Sequence, residues 1–337
     1  MKAVGYVKQG ALDDDGALVD FEASEPVAEG HDLLVRVAAI SVNPVDYKIR
    51  MRRPPEGDRP NVLGWDAVGE VVGVGGDVTA FKPGDMVWYA GAIDRSGTNA
   101  ELHLVNSRIV GLKPHSVSNA DAASLPLTTL TAWEMLFDRL RVEDPVPGAA
   151  PAVLIIGGAG GVGSIAIQLL RARTNLTVIA TASRPETQAW AKELGAHHVI
   201  DHREPLGSQI EALGLGAPGF VFSTTHTQSY AAQIAELIAP QGRFGLIDDP
   251  EVMDIMPFKP KSVSVHWELM FTRSLFGTAD IARQGEILNA AAGLLDEGRI
   301  RSTATEVLGK ICAANIRDAH RTLASGTAKG KMVLEGF

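Results

Sequence analysis

In the first third of the chain, apolar and polar positions alternate over short runs. Leu33, Val35, Val37 and Ala39 face one way and the residues between them the other, the pattern of a half-buried strand. The N-terminal Met1–Val7, Val68–Val74, Met86–Tyr89 and Leu102–Val105 read as further strands, with Lys82-Pro83-Gly84-Asp85 as a turn. Few stretches before residue 125 have helical spacing, so a small β-rich domain is expected there. From about Ser118 the pattern changes. Strands at Val153–Ile156, Leu176–Thr181, His198–Ile200, Phe220–Ser223, Gly242–Ile247 and Val263–Phe271 are interleaved with helical runs. Those runs include Val162–Leu170, Arg184–Leu194 and Thr227–Ile238, and a last helix is expected at Asp280–Glu297. Such alternation predicts a doubly wound parallel sheet, so the fold class is α/β.

One helix start is marked by side chains. Ser183 is predicted as N-cap, with Pro185 in the first turn, Glu186 completing a capping box and Gly195 just past the end.

The most specific signal runs from Val153 to Leu170. A β-branched run leads into Gly158-x-Gly160-x-x-Gly163, and helical apolar spacing follows at Val162, Ile165, Ala166, Leu169 and Leu170. In that context a dinucleotide pyrophosphate sits on a helix N-terminus. Gly158 is expected to permit the tight turn, Gly160 to let backbone N–H groups approach phosphate, and Gly163 to let helix and strand pack closely. Gly161 and Val162 complete the loop. Residues 151–170 carry no charge, about the length that crosses a bilayer. The glycine cluster, the early proline and the lack of aromatic and basic flanking belts argue against a span.

Units that bind NAD place an acid about 20 residues past the glycines, for the ribose 2′-hydroxyl. Here the corner reads Ala180-Thr181-Ala182-Ser183-Arg184, with no acid until Glu186. Ser183 and Arg184 offer a hydroxyl, a forked cation and a helix start to a 2′-phosphate, which predicts NADPH. The blander reading leaves Ser183 as a cap and Arg184 in solvent. His202, just after the third strand, is placed near the adenosine, or on the surface. Ile247 and Asp248 end the fifth strand, where the ligand crevice of such sheets lies.

Composition changes the picture little. With 337 residues there is room for two domains, and 45% hydrophobic with 21% charged residues is ordinary for a globular chain. A net charge of −9 gives no reason to expect nucleic acid. The single Cys312 excludes an intramolecular disulfide and a multi-cysteine zinc site. The N-terminus reads as a strand rather than a leader, so a cytoplasmic location is expected.

The chain resembles the medium-chain dehydrogenase/reductase superfamily over nearly its whole length. The resemblance rests on Ser41-Val42-Asn43-Pro44-Val45-Asp46, Leu63-Gly64-Trp65-Asp66-Ala67-Val68-Gly69, Phe81–Asp85, Leu125-Pro126-Leu127 through Trp133, the glycine loop and Gly330–Leu334. The Asn-Pro-x-Asp form is similar to the quinone-oxidoreductase branch, and more narrowly to proteins called zinc-type alcohol dehydrogenase-like. The resemblance implies a GroES-like catalytic domain at 1–127 and a Rossmann NADP-binding domain at 128–277. Residues 278–337 would return to the first domain. It further implies a homodimer joined at the Val263–Phe271 strand, which alternates like an exposed edge.

The departures carry as much weight. Asn43, Trp65 and Leu127 stand where the zinc enzymes keep their ligands, and none is a plausible ligand. The four-cysteine lobe is missing, and His197, His198 and His202 cluster around the third Rossmann strand. No metal is therefore expected. The resemblance implies that Asn43 and Asp46 border the nicotinamide pocket, with Trp65 on the neighbouring loop, and that Thr128 and Thr131 lie on a helix touching the nicotinamide side. Asn43 is the candidate donor to a developing oxyanion, Tyr47 and Lys48 the candidate proton donors, and Trp65 an apolar wall. Asn43 and Asp46 also suit a plain capping role, and Trp65 plain core packing. The function expected is zinc-independent hydride transfer from NADPH to a quinone or α,β-unsaturated carbonyl. An alcohol dehydrogenase and a non-catalytic NADPH-binding sensor are the alternatives.

Overall fold

The alternation at Leu33–Ala39 lies inside a ten-residue strand, Asp32–Ser41, whose Leu33, Val35, Val37 and Ala39 are all buried. Around it a seven-stranded sheet forms. Asp32–Ser41 pairs antiparallel with Ala67–Val74, with Leu102–Asn106 and with the C-terminal strand Lys331–Glu335. In the last pairing Val333 stands opposite Ser41, so the end of the chain completes a sheet begun near its start. A smaller three-stranded sheet is centred on Lys2–Tyr6.

The computed structural model describes residues 1–10, 14, 16–57 and 59–337. They divide into two units, residues 1–130 with 271–337 and residues 131–270.

The second unit is built on six parallel strands: Ala150–Ile156, Thr177–Thr181, His198–Ile200, Pro218–Ser223, Arg243–Leu246 and Ser264–Trp267. Their order across the sheet is third, second, first, fourth, fifth, sixth. That is the Rossmann order, and it reverses between the first and fourth strands. Strands covered on both faces read as continuous apolar runs, and Val153 to Ile156 are all fully buried. The fold class is α/β with a GroES-like β-rich unit and a Rossmann-like parallel sheet.

Three expectations are corrected. The expected Val263–Phe271 strand is short, Ser264–Trp267, because the chain turns into the helix Thr272–Leu275. The helix Arg283–Asp296 is not the last, since Ala313–Ala324 follows it. Its buried face is Ala313, Ile316, Ala319 and His320, a clear helical period that the sequence itself carries. The β-rich part also holds a helix, Pro44–Arg52, whose buried residues are Asp46 and Arg50. A helix that buries charge and exposes apolar Met51 leaves no amphipathic signature.

Candidate functional site

In the second unit the first strand ends at Gly157, which has φ +83°. The tight turn therefore falls to Gly157 and not to Gly158 as expected; a Cβ there would also lie 2.4 Å from Thr224 Oγ1. Gly158 serves packing instead, since its Cβ would sit 2.7 Å from that of Ala180. Gly163 takes its expected part: a Cβ would come within 2.3 Å of Gly157 O and 2.7 Å of Gly158 Cα. Gly160 is the N-cap of the helix Gly161–Arg173, and the nearest atom to its Cβ position is 3.5 Å away. Room for a phosphate is thus left at a helix start, where Gly161 and Val162 lie half-buried. Thr181 braces the loop from the second strand: its Oγ1 accepts from Gly157 N at 3.0 Å and its carbonyl from Gly158 N at 3.1 Å. The cradle fits a dinucleotide pyrophosphate.

The 2′ corner differs from expectation in its capping. The helix is Pro185–Glu193 and its N-cap is Arg184. Thr187 Oγ1 accepts the Arg184 N–H at 3.2 Å, which frees Ser183 from capping. Glu186 pairs with Arg184 Nε at 3.1 Å rather than closing a capping box. Arg203, which the sequence reading passed over, donates to Ser183 O at 2.9 Å and to Asp201 Oδ2 at 2.6 Å. That pairing holds the Asp201 carboxyl down to about 2. The one available signal for Arg203 was its place beside His202, just after the third strand. His202 is half-buried, and burial pushes its imidazole down, so it is neutral at pH 7. Two guanidinium groups thus stand at a corner that lacks a free acid.

Asp248 has a structural task. Its Oδ2 accepts the Thr227 N–H at 2.9 Å and its Oδ1 the Thr227 hydroxyl, which starts the helix Thr227–Leu237. Asp248 and the neighbouring Ile247 are both half-buried. Thr131 is buried, 5% exposed. Thr128, in the first unit, bonds back to Leu125 O at 3.1 Å.

In the first unit the motifs around Asn43 and Asp66 converge on a buried polar cluster. Asp66 is fully buried. Its Oδ1 accepts from Leu127 N at 2.7 Å, and its Oδ2 from Ser41 Oγ at 2.7 Å, Asn43 Nδ2 at 2.7 Å and Lys331 Nζ at 3.2 Å. Burial pushes this carboxyl up and Lys331 opposes it, followed by the Asn43, Leu127 and Ser41 hydrogen bonds. Surroundings made only of donors define a carboxylate. Lys331 Nζ also donates to Val42 O at 2.9 Å and Asn43 Oδ1 at 2.5 Å. Both ends of the Asn43 carboxamide are therefore engaged inside the protein, and Asn43 is 1% exposed. The direct oxyanion-donor part expected of Asn43 gives way to one inside this cluster. Asp66 and Lys331 are the members that sequence reasoning did not single out for a role. Their signal was the family motifs themselves, Gly64-Trp65-Asp66 and Gly330-Lys331-Met332.

Asp46 Oδ2 accepts the Asn43 N–H at 2.8 Å, half of a capping box at the start of Pro44–Arg52. Its Oδ1 is buried with no hydrogen-bond partner among the described residues. Burial raises this carboxyl from 3.8 to about 7, against the Asn43 N–H and Lys331. The unfolded chain loses this proton near pH 4 and the folded protein near 7. Between those values the folded state binds more protons, so stability falls as pH rises and levels off above about 7. Asp46→Asn is expected to flatten that slope and to gain up to about 4 kcal/mol over the parent at pH 8, less at pH 5. Urea unfolding at the two pH values checks this, and an equal difference at both would refute it.

The remaining candidates lie apart from the ion pair. Trp65 is 2% exposed, donates its indole N–H to Ala92 O at 3.1 Å and meets Phe271 edge-on at 6.1 Å. Tyr47 is half-buried, with its ring 6.4 Å from that of His320, and Lys48 is half-buried on the same helix.

A zinc ion does not fit these residues. Asn43 offers an amide already held by Lys331 and Asp66, Trp65 offers only an N–H, and Leu127 offers hydrocarbon. Among the described residues no group of three or more His, Cys, Asp or Glu is placed to hold a metal. Elemental analysis of the purified protein is expected to find well under one zinc per chain, and chelation to leave activity unchanged. One zinc per chain, with activity lost on chelation, would overturn the assignment.

A GroES-like β unit joined to a Rossmann-like sheet defines a dehydrogenase of the medium-chain type. Residues 29–114 match the alcohol dehydrogenase GroES-like domain and residues 161–287 the zinc-binding dehydrogenase family. A zinc-type alcohol dehydrogenase-like protein of Staphylococcus aureus is 39% identical over 336 residues, 99% of each chain. A crystal structure from Rhizobium etli CFN 42, described as a zinc-dependent alcohol dehydrogenase protein, is 63% identical with a TM-score of 0.98, covering 100% of this chain and 98% of that one. The quinone oxidoreductase from Coxiella burnetii is 26% identical with a TM-score of 0.80, covering 99% of both. The chain belongs to the medium-chain dehydrogenase/reductase superfamily, among its zinc-type alcohol dehydrogenase-like proteins. Among the described residues no helix is long and apolar enough to cross a membrane.

Proposed function

We propose that this oxidoreductase works without zinc and uses NADPH to reduce a quinone or an α,β-unsaturated carbonyl. The observation that carries the reading is the Asp66–Lys331 ion pair that engages Asn43, beside residues that offer no zinc ligand. The two guanidinium groups at the 2′ corner support NADPH, and the likeness to a quinone oxidoreductase supports the acceptor class. When bound, the reduced nicotinamide supplies the hydride. The glycine loop and helix Gly161–Arg173 hold the pyrophosphate, Ser183, Arg184 and Arg203 read the 2′-phosphate, and His202 lies by the adenosine. The backbone at Ile247 and Asp248, with Thr131, orients the nicotinamide end. Asp46 keeps a proton near neutrality. Tyr47 and Lys48, half-buried on the helix Pro44–Arg52, are the groups proposed to protonate a product. NADPH oxidation against paired acceptors tests the reading. Activity confined to simple alcohols would favour the alcohol dehydrogenase alternative, and binding of NADPH without turnover of any acceptor a sensor.

A second copy of this chain is the partner proposed for the second unit. Ser264–Trp267 is an edge strand of its sheet, with Trp267 56% and Leu269 52% exposed beside it. An unpaired apolar edge invites pairing, and a two-fold axis lets one edge cover its own copy. Light scattering at micromolar concentration is expected to give a dimer, and Trp267→Lys a monomer. A monomeric parent would refute the pairing.

A further inference from the structure

The C-terminal strand delivers a buried ammonium to the Asn43–Asp66 cluster. Lys331 is 4% exposed. Its three N–H donors meet three oxygens: Val42 O at 2.9 Å, Asn43 Oδ1 at 2.5 Å and Asp66 Oδ2 at 3.2 Å. An ammonium has three donors and no acceptor, so the group is satisfied within the protein. Three separate stretches of chain meet at this one atom. The Asn43 carboxamide is fixed in turn, its oxygen taken by Lys331 and its nitrogen by Asp66. A buried ion pair contributes little net stability relative to apolar side chains of the same volume. What it contributes here is geometry.

We propose that Lys331 is the positioning residue of this site. Its ammonium neutralises Asp66 and sets the Asn43 carboxamide, and with it the turn that begins Pro44–Arg52. Its effect on turnover rests on the reading of the protein as a metal-free reductase; its effect on the fold does not. Lys331→Ala would leave a space ringed by carbonyl, amide and carboxylate oxygens. A small primary ammonium ion suits those acceptors, whereas tetramethylammonium has no N–H to give. Zinc is a poor match for a set without thiolate or imidazole.

The test is chemical rescue. Lys331→Ala is expected to melt roughly 10 °C below the parent, because one partner of a buried pair is left uncompensated. Methylammonium chloride at tens of millimolar restores at least half of that loss; tetramethylammonium chloride of equal ionic strength, and zinc chloride, restore none. If Lys331→Ala folds only with methylammonium present, the proposal is equally supported. Lys331→Met keeps the length and removes the charge, so it melts low and no amine rescues it. With a quinone acceptor, kcat of Lys331→Ala falls and rises again with methylammonium, while KM for NADPH stays unchanged. Should the parent turn over no acceptor, the proposed function fails while the melting series still decides the part of Lys331. A Lys331→Met protein as stable as the parent, or a Lys331→Ala protein that methylammonium restores in neither folding nor melting, overturns the proposal.

Discussion

With NADPH, a quinone or enone is expected to be reduced at least about a hundredfold faster, in kcat/KM, than a simple ketone, and simple alcohols are expected to be oxidised as poorly with NADP. Hydride arriving at an unactivated carbonyl leaves charge on one oxygen, and a Lewis-acid metal can stabilise that charge by several kcal/mol. Asn43, Trp65 and Leu127, which the resemblance sets at the zinc positions, offer no zinc ligand, and Lys331 is committed to Asp66, Asn43 and Val42. Losing about 3–4 kcal/mol of stabilisation corresponds to roughly two to three powers of ten in rate. A conjugated acceptor spreads the charge and needs less help. Steady-state kinetics on a quinone, an enone, the matching saturated ketone and its alcohol checks this. Efficient alcohol oxidation without activity on conjugated acceptors would sink it.

Arg184→Ala is expected to weaken NADPH binding about tenfold or more and to leave NADH nearly unchanged. A charge-assisted hydrogen bond to phosphate contributes about 1.5–3 kcal/mol. The Arg184 side chain is 38% exposed, which favours the lower end through solvent screening. Arg203→Ala is expected to act in the same direction, with an added consequence. It releases the Asp201 carboxylate at the end of the third strand, where an unpaired acid repels phosphate. The double variant should therefore lose its preference for NADPH altogether. Titration of both cofactors by nicotinamide fluorescence measures it. Unchanged NADPH affinity in the double variant would show that neither arginine reads the phosphate.

Local pattern carried most of the fold. Met86–Tyr89 and His198–Ile200 agree with the structure to the residue, and Asp32–Ser41 and Pro218–Ser223 extend the expected strands by a few residues. Period and turn chemistry are properties of neighbouring residues, so the chain alone shows them. The glycine loop was legible for the same reason, apart from its turn. Gly157 was missed because positive φ depends on how the strand end meets Thr224, 67 residues later in the chain. The Thr187 cap was missed because Ser183 and Glu186 satisfy the local rule equally well.

The chain alone thus determined the two kinds of unit, the phosphate cradle, the missing acid at the 2′ corner and the absence of zinc ligands. Tertiary structure decided which polar groups those elements bury together. Asn43 and Asp46 are sequence neighbours, but Asp66 and above all Lys331, 288 positions after Asn43, reach them only through strand pairing. Charge inside a fold is set by what packs around it, and no local period records that. Arg203 beside Ser183 is the same case on a smaller scale, 20 residues along the chain and one hydrogen bond away in space.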